Sequence, residues 1–265
     1  MTILDKIISY KREEVTQLAN MVPIKELEKS SFFQMNCISL KQQIRQKNKS
    51  GIIAEFKRQS PSKGIINETA IVAETTKGYL EAGASGVSIL TDTNFFGGKN
   101  DDVISAKEMG LGPILRKDFT ISEYQIIEAK AIGADAILLI AAVLSKNEIK
   151  QFTALAHSLG LEVLLEVHTQ DELKKYISEI SLVGINNRDL KTFKVDFENS
   201  IHLAELLPSE IIKIAESGIN DFKNIVELKK HGIEGFLIGE NFMKTESPAL
   251  ACKQFIEQIN NFTHD

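Results

Sequence analysis

Cysteine is scarce in this chain of 265 residues: Cys37 and Cys252 stand near opposite ends, with no Cys-x-x-Cys spacing and no histidines gathered around them. A disulfide framework and a structural zinc site therefore have no basis, and a reducing cytoplasm fits. Long apolar runs are also missing. None approaches the roughly 20 residues of a membrane span, and the start, Met1-Thr2-Ile3-Leu4-Asp5-Lys6-Ile7-Ile8, carries acid early and lacks a secretory core with its cleavage site. Positive charge is not in excess either. A formal net charge of −5 and a pI near 5.7 argue against nucleic acid as a partner, while leaving room for a local basic pocket that takes a small phosphate. The five histidines are scattered and no His-Glu-x-x-His occurs, so neither a metal site nor a Ser-His-Asp triad is supported. His168, near a strand end, reads as a helix-capping or surface residue, and Cys252 as core.

What the chain does have is a repeat. Its 43% hydrophobic content is ample for one core. From Gly51 onward, eight short β-branched runs occur: Ile52–Lys57, Gly86–Thr91, Pro113–Lys117, Ala136–Ile140, Glu162–Glu166, Leu182–Asn186, Ile212–Glu216 and Gly235–Ile238. Segments of helical period, such as Thr69–Ala82, Ser122–Ala131, Ser145–Leu159 and Asp221–His231, separate them and are long enough to cross between parallel strands. This predicts an α/β fold, a (β/α)8 TIM barrel over residues 51–265, in a single domain. A doubly wound dinucleotide sheet would show Gly-x-Gly-x-x-Gly after its first strand, and none is there. Gly110-Leu111-Gly112 precedes a strand and reads as a helix stop. Residues 1–50 lie outside the repeat as an N-terminal helical extension, with Ile3, Leu4, Ile7, Ile8, Val15 and Leu18 at helical spacing. They either pack on the barrel or form a lid over its mouth or a dimer contact.

Barrel chemistry gathers at the carboxyl ends of the strands, and polar residues gather there in this sequence. The first strand ends with Glu55, Lys57 and Ser60, the third with Arg116, Lys117 and Asp118, and the fifth with Glu162, Glu166 and His168. The sixth ends with Asn186, Asn187, Arg188 and Asp189, and the seventh with Glu216, Ser217 and Gly218. Charges inside β-branched runs need partners, since a lone buried ion costs several kcal/mol. A shared polar cluster follows, with Arg116, Asp118 and Asp189 off the inward face by alternation. Glu216-Ser217-Gly218-Ile219 and Ile238-Gly239-Glu240-Asn241 place small residues where backbone N–H groups can approach an anion. Phe95-Phe96-Gly97-Gly98 offers an aromatic pair for packing or for the wall of a planar substrate.

The stretches Ile53-Ala54-Glu55-Phe56-Lys57-Arg58-Gln59-Ser60-Pro61-Ser62-Lys63-Gly64, Leu115-Arg116-Lys117-Asp118-Phe119 and Leu165-Glu166-Val167-His168 closely resemble the indole-3-glycerol-phosphate synthase family of the tryptophan pathway. So do Gly184-Ile185-Asn186-Asn187-Arg188-Asp189-Leu190 and Ala215-Glu216-Ser217-Gly218-Ile219, and the likeness covers nearly the whole chain. The resemblance implies a carboxy-lyase that closes 1-(2-carboxyphenylamino)-1-deoxyribulose 5-phosphate to indole-3-glycerol phosphate with loss of carbon dioxide and water. No cofactor or metal is implied. By match to the family, Lys117 is the chief general acid, Glu166 handles protons, and Lys57 pairs the substrate carboxylate or also acts as an acid. Glu55, Asn186 and Glu216 orient these groups and the sugar hydroxyls, with Glu55 and Glu216 holding the ammonium charge of a donating lysine. Ser60, Ser217, Gly218, Gly239 and the Glu240 backbone would surround the phosphate, with the Glu240 side chain turned away at a helix start. Phe96, Phe119, Arg188 and Leu190 would surround the aromatic ring. A monomer or weak homodimer, association with other tryptophan-pathway enzymes and a cytoplasmic setting are implied, and no second barrel follows to make a two-enzyme fusion. Two alternatives stand beside this reading: a phosphoribosylanthranilate isomerase-like barrel enzyme, and a non-catalytic phosphate-binding barrel.

Overall fold

A computed structural model describes residues 2–188 and 195–263 of the chain. Thr2 opens the first helix with a capping box, its hydroxyl accepting the Asp5 N–H while the Asp5 carboxylate accepts the Thr2 N–H. That helix, α1 (Ile3–Met21), buries Ile7, Lys11 and Val15 at intervals of four, one stripe of a 3.6-residue period. The short helices α2 (Ile24–Leu27) and α3 (Leu40–Arg45) follow.

Eight parallel strands then close into a barrel: β1 (Ile52–Phe56), β2 (Gly86–Leu90), β3 (Ile114–Lys117), β4 (Ala136–Ile140), β5 (Glu162–Val167), β6 (Leu182–Asn186), β7 (Ile212–Glu216) and β8 (Ile233–Ile238). Consecutive strands are neighbours, and β1 pairs with both β2 and β8 to complete the ring. The crossovers are α4 (Val72–Glu81), α5 (Asn100–Glu108), α6 (Glu123–Ala131), α7 (Lys146–Ser158), α8 (Phe197–Glu205) and α9 (Phe222–Lys230), with α10 (Pro248–Thr263) after the last strand. Between β5 and β6 the chain forms one helical turn, Gln170–Leu173. Two departures from the sequence pattern stand out. β8 starts at Ile233, ahead of the expected Gly235, because a bulge between those residues steps over Glu234, whose carboxylate binds Arg45. The stretch after β1 folds back as a small antiparallel hairpin, Gln59–Ser60 with Gly64–Ile65, at the barrel mouth.

Alternation sorts the strand residues onto two faces. Ile53, Leu115, Leu138, Leu164, Leu182, Ile214 and Leu237 fill the barrel, while Ile52, Ala54, Phe56, Val163 and Leu165 meet the surrounding helices. Leu40 and Ile44 of α3 join the inner cluster and plug the amino-terminal end. There the Glu162 carboxylate accepts from the Ser39 hydroxyl and the Lys41 N–H. Glu162 therefore does not belong with Glu166 and His168, as the sequence reading has it. It faces inward, four residues and one barrel length away from the chemistry.

The opposite end is tied to α1 by a buried cation. Lys11 Nζ lies 2.9 Å from Asp92 and 3.0 Å from Asp118, with Glu14 at 2.5 Å on its own helix. Asp92 caps the one-turn helix Thr93–Phe96, and Asp118 accepts from Thr91. Arg116 forms a second buried cluster outside the barrel wall with Glu128 and Asp118, consistent with its outward position. Burial opposes charge on Lys11, yet Asp118 and Asp92 outweigh it and raise its pKa. Replacing Lys11 by Met leaves buried Asp92 without its countercharge and Asp118 with Arg116 alone. Stability should fall by about 3–5 kcal/mol, read from the urea midpoint, and a loss below about 1 kcal/mol would show that the aspartates have found other partners.

Candidate active site

The floor of the site is built by the last inward residue of each polar strand. β1 contributes Glu55 and, just past its end, Lys57, whose Nζ lies 2.5 Å from Glu55 Oε1. β3 contributes Lys117, 2.8 Å from Glu166 of β5 and 3.2 Å from Glu216 of β7. Asn186 at the end of β6 donates to Glu166 Oε1 over 3.1 Å, and its own side-chain oxygen accepts the Arg188 N–H. The two lysines therefore have separate carboxylate partners. Glu55 contacts the Lys57 ammonium and Glu216 that of Lys117, and a second contact on Lys117 comes from Glu166.

Glycines make room for these carboxylates. A β-carbon on Gly184 would overlap Glu216 Oε1, and one on Gly239 would overlap Glu55 Oε1.

Electrostatics divides the two acids around Lys117. Burial alone would neutralise the ammonium, but the fields of Glu166, Glu216 and Glu55 raise its pKa above the usual lysine range. Burial also favours the neutral form of Glu166, yet Lys117 and His168 hold it down at about 2. Glu216 is pushed up to about 7 by burial, with Glu166 and Glu55 adding to the rise against the pull of Lys117. One ammonium flanked by two buried carboxylates leaves one acid ionised and the other ready to hold a proton near neutrality.

Above this floor opens a cavity of about 650 Å³, in the size range of small-molecule sites. Glu55, Lys57, Ser60, Phe96, Lys117, Phe119, Glu166, Asn186, Arg188, Glu216, Ser217, Gly218, Gly239 and Glu240 all line it. Leu190, and Asp189 with it, lie outside the described residues. Phe96 and Phe119 meet at 6.0 Å between ring centroids, an aromatic wall on one side. Phe95 turns away to pack edge-on against Tyr10 of α1.

On the far side, Ser217 and Gly218 both take left-handed backbone angles, φ 69° and 76°. For serine that conformation costs energy. Asn187 enforces it by donating its side-chain amide to both the Glu216 and Ser217 carbonyls. Asn187 is thus a buttress outside the cavity. Glu240 does begin a helical turn as expected, but its carboxylate faces other rim charges, 3.4 Å from Lys63 and 3.9 Å from Arg188.

Ile3, Leu4 and Ile7 of α1 line the cavity, so the N-terminal helix joins two of the readings offered for it, packing on the barrel and walling its mouth. One contributor escapes the sequence reading. His168 is neither cap nor surface residue. Thr169 caps the following turn, while His168 lines the cavity with Nε2 3.4 Å from Glu166 Oε1. The alternation that selects Glu166 also turns His168 inward, so the signal is present in the sequence. Among the described residues, no group of three or more His, Cys, Asp or Glu side chains is arranged to hold a metal ion, and no helix is long and apolar enough to cross a membrane.

Comparison with known proteins agrees with this geometry. The family model described as indole-3-glycerol phosphate synthase matches residues 4–255. An indole-3-glycerol phosphate synthase of Bacteroides thetaiotaomicron is 46% identical over 257 residues, covering 97% of this chain and 98% of the relative. One from Caldanaerobacter subterraneus subsp. tengcongensis is 40% identical over 261 residues, with 97% and 98% covered. One from a Polaromonas species is 40% identical over 256 residues, with 95% and 97% covered. With a closed eight-stranded barrel and a matched length that takes in every strand, the chain belongs to the indole-3-glycerol phosphate synthase family.

Proposed function

We propose that the chain is a cytoplasmic carboxy-lyase that closes the indole ring of 1-(2-carboxyphenylamino)-1-deoxyribulose 5-phosphate, working as a monomer or weak homodimer. The observation that carries this reading is the pair of separately held lysines, Lys57 on Glu55 and Lys117 on Glu166 and Glu216, on a floor beneath aromatic and phosphate-sized walls. A reaction that must bind a carboxylate and protonate two oxygens needs two cations and a nearby base.

The steps follow from that arrangement. Lys57 pairs the substrate carboxylate, and Phe96 and Phe119 flank its aromatic ring. The phosphate sits among Ser60, Ser217, Gly218, Gly239 and the Glu240 backbone. As the ring carbon attacks the ketone, a C–C bond forms and charge develops on the ketone oxygen. Lys117, kept fully protonated by its two carboxylates, gives that oxygen a proton. The carboxylate then leaves as carbon dioxide, returning its bonding electrons to the ring. Lys57, freed of the carboxylate once carbon dioxide has left, gives a second proton to the tertiary alcohol as it departs as water, and Glu166 removes a C–H proton to complete the indole. Glu55, Asn186 and Glu216 keep these groups in register.

Purified protein should convert the substrate to a fluorescent indole product, and correctly folded protein with no turnover overturns the reading. Lys117→Met should abolish ring closure while leaving affinity for inorganic phosphate within about tenfold, or roughly 1.4 kcal/mol. Matching losses in both would make Lys117 a binding residue. Gly184→Ala should lower kcat by about tenfold or more, because the new methyl displaces Glu216 from Lys117. Phosphate affinity should hold, and an unchanged kcat would remove Glu216 from the proposed machinery.

A further inference from the structure

Among the described residues, Ser217 is the only one other than glycine with a positive φ, 69°. Glycine takes that angle freely, whereas the β-carbon of serine is crowded there by its own backbone. Gly218 follows at 76°, and both line the cavity where the reading above seats the phosphate. The Gly218 N–H meets no acceptor among the described residues. A turn of this kind leaves N–H groups free for an anion.

What holds the turn lies behind it. β7 ends at Glu216, in register with Asn186 of β6, and Ser217 stands one residue beyond that ladder. The Asn187 side-chain amide donates to the Glu216 carbonyl over 2.7 Å and to the Ser217 carbonyl over 2.8 Å. Its amide oxygen accepts from the hydroxyl of Ser200 in α8. That bond fixes which end of the amide faces the two carbonyls, since only the NH2 end can donate to them. Asn187 is 2% exposed and Ser200 fully buried, and neither lines the cavity.

We propose that the Ser200–Asn187 pair positions the phosphate-binding turn, holding Ser217 in its left-handed form before the substrate arrives. This rests on the phosphate placement in the ring-closure reading. Without the pair, Ser217 relaxes toward the negative φ that serine prefers, and the Gly218 N–H turns away from the cavity. Each binding event must then rebuild the turn, and affinity falls by the cost of doing so. Glu216 is less affected, because its backbone stays in the β6–β7 ladder. Both residues of the pair act through the turn and touch no reacting atom.

The test measures inorganic-phosphate affinity, KM and kcat for Asn187→Ala and for Ser200→Ala, each in the wild-type and in the Ser217→Gly background. Asn187→Ala should bind phosphate about tenfold more weakly and raise KM by a similar factor, with kcat within about threefold of wild type. Ser200→Ala removes one hydroxyl and keeps the packing of α8. It should shift affinity and KM the same way by about threefold or more, and it carries the test if Asn187→Ala does not fold. Glycine takes the left-handed angle without help, so in the Ser217→Gly background each loss should shrink to less than half its size. Equal losses in both backgrounds would overturn the inference, because a merely structural role does not depend on Ser217. Unchanged phosphate affinity in the variants would overturn it as well. So would a fall in kcat with phosphate affinity and KM unaltered, which would put Asn187 in the service of Glu216 instead. Wild type that binds no inorganic phosphate would overturn the phosphate placement itself, and the inference with it.

Discussion

One ammonium group between two carboxylates, above a barrel core built mainly of leucine and isoleucine, sets the terms for the upper half of this molecule. Lys117 cannot be buried alone, and neither can Glu166 or Glu216, because each isolated charge would lose several kcal/mol of hydration. They are stable only together, and only if β3, β5 and β7 bring them to the same level. Asn186 then satisfies an oxygen of Glu166, and Gly184 leaves the space that Glu216 occupies. What stabilises the cluster also gives it chemistry: a proton fixed on nitrogen, an ionised acid beside it and a second acid poised near neutrality.

The same logic extends outward to the N-terminal helix. Lys11 reaches from α1 to Asp92 and Asp118, which lie just past the ends of β2 and β3. Asp118 follows Lys117 directly, so the helix that walls the cavity with Ile3, Leu4 and Ile7 is anchored one residue from the proposed acid. At the other end α3 plugs the barrel and binds Glu162. The extension thus closes one end and shapes the other, with the packing of eight strands between.

Much of this is legible in the sequence alone. Strand and helix periods differ, so the eight β-branched runs and the segments between them identify the repeat. Alternation within a strand is local, and it places Glu55 with Lys57 and puts Arg116 opposite Lys117. The same rule also turns Glu162 inward, but it says nothing about which end of the barrel an inward residue occupies; strand position does, and Glu162 opens its strand. His168 shows the converse. Alternation points it into the cavity, whereas its place next to a helical turn makes capping look sufficient.

The barrel, the inward set of polar residues and the glycine-bearing turns above them are written into local pattern, because each depends on periods of two to four residues within one segment. The partners are not. Lys117 meets Glu166 and Glu216, and Lys11 meets Asp92 and Asp118, across separations of 49 to 107 residues (Lys117 to Glu166 and Lys11 to Asp118). Those pairings are set by barrel closure, strand register and the demand that buried charges find opposites, none of which a local pattern contains.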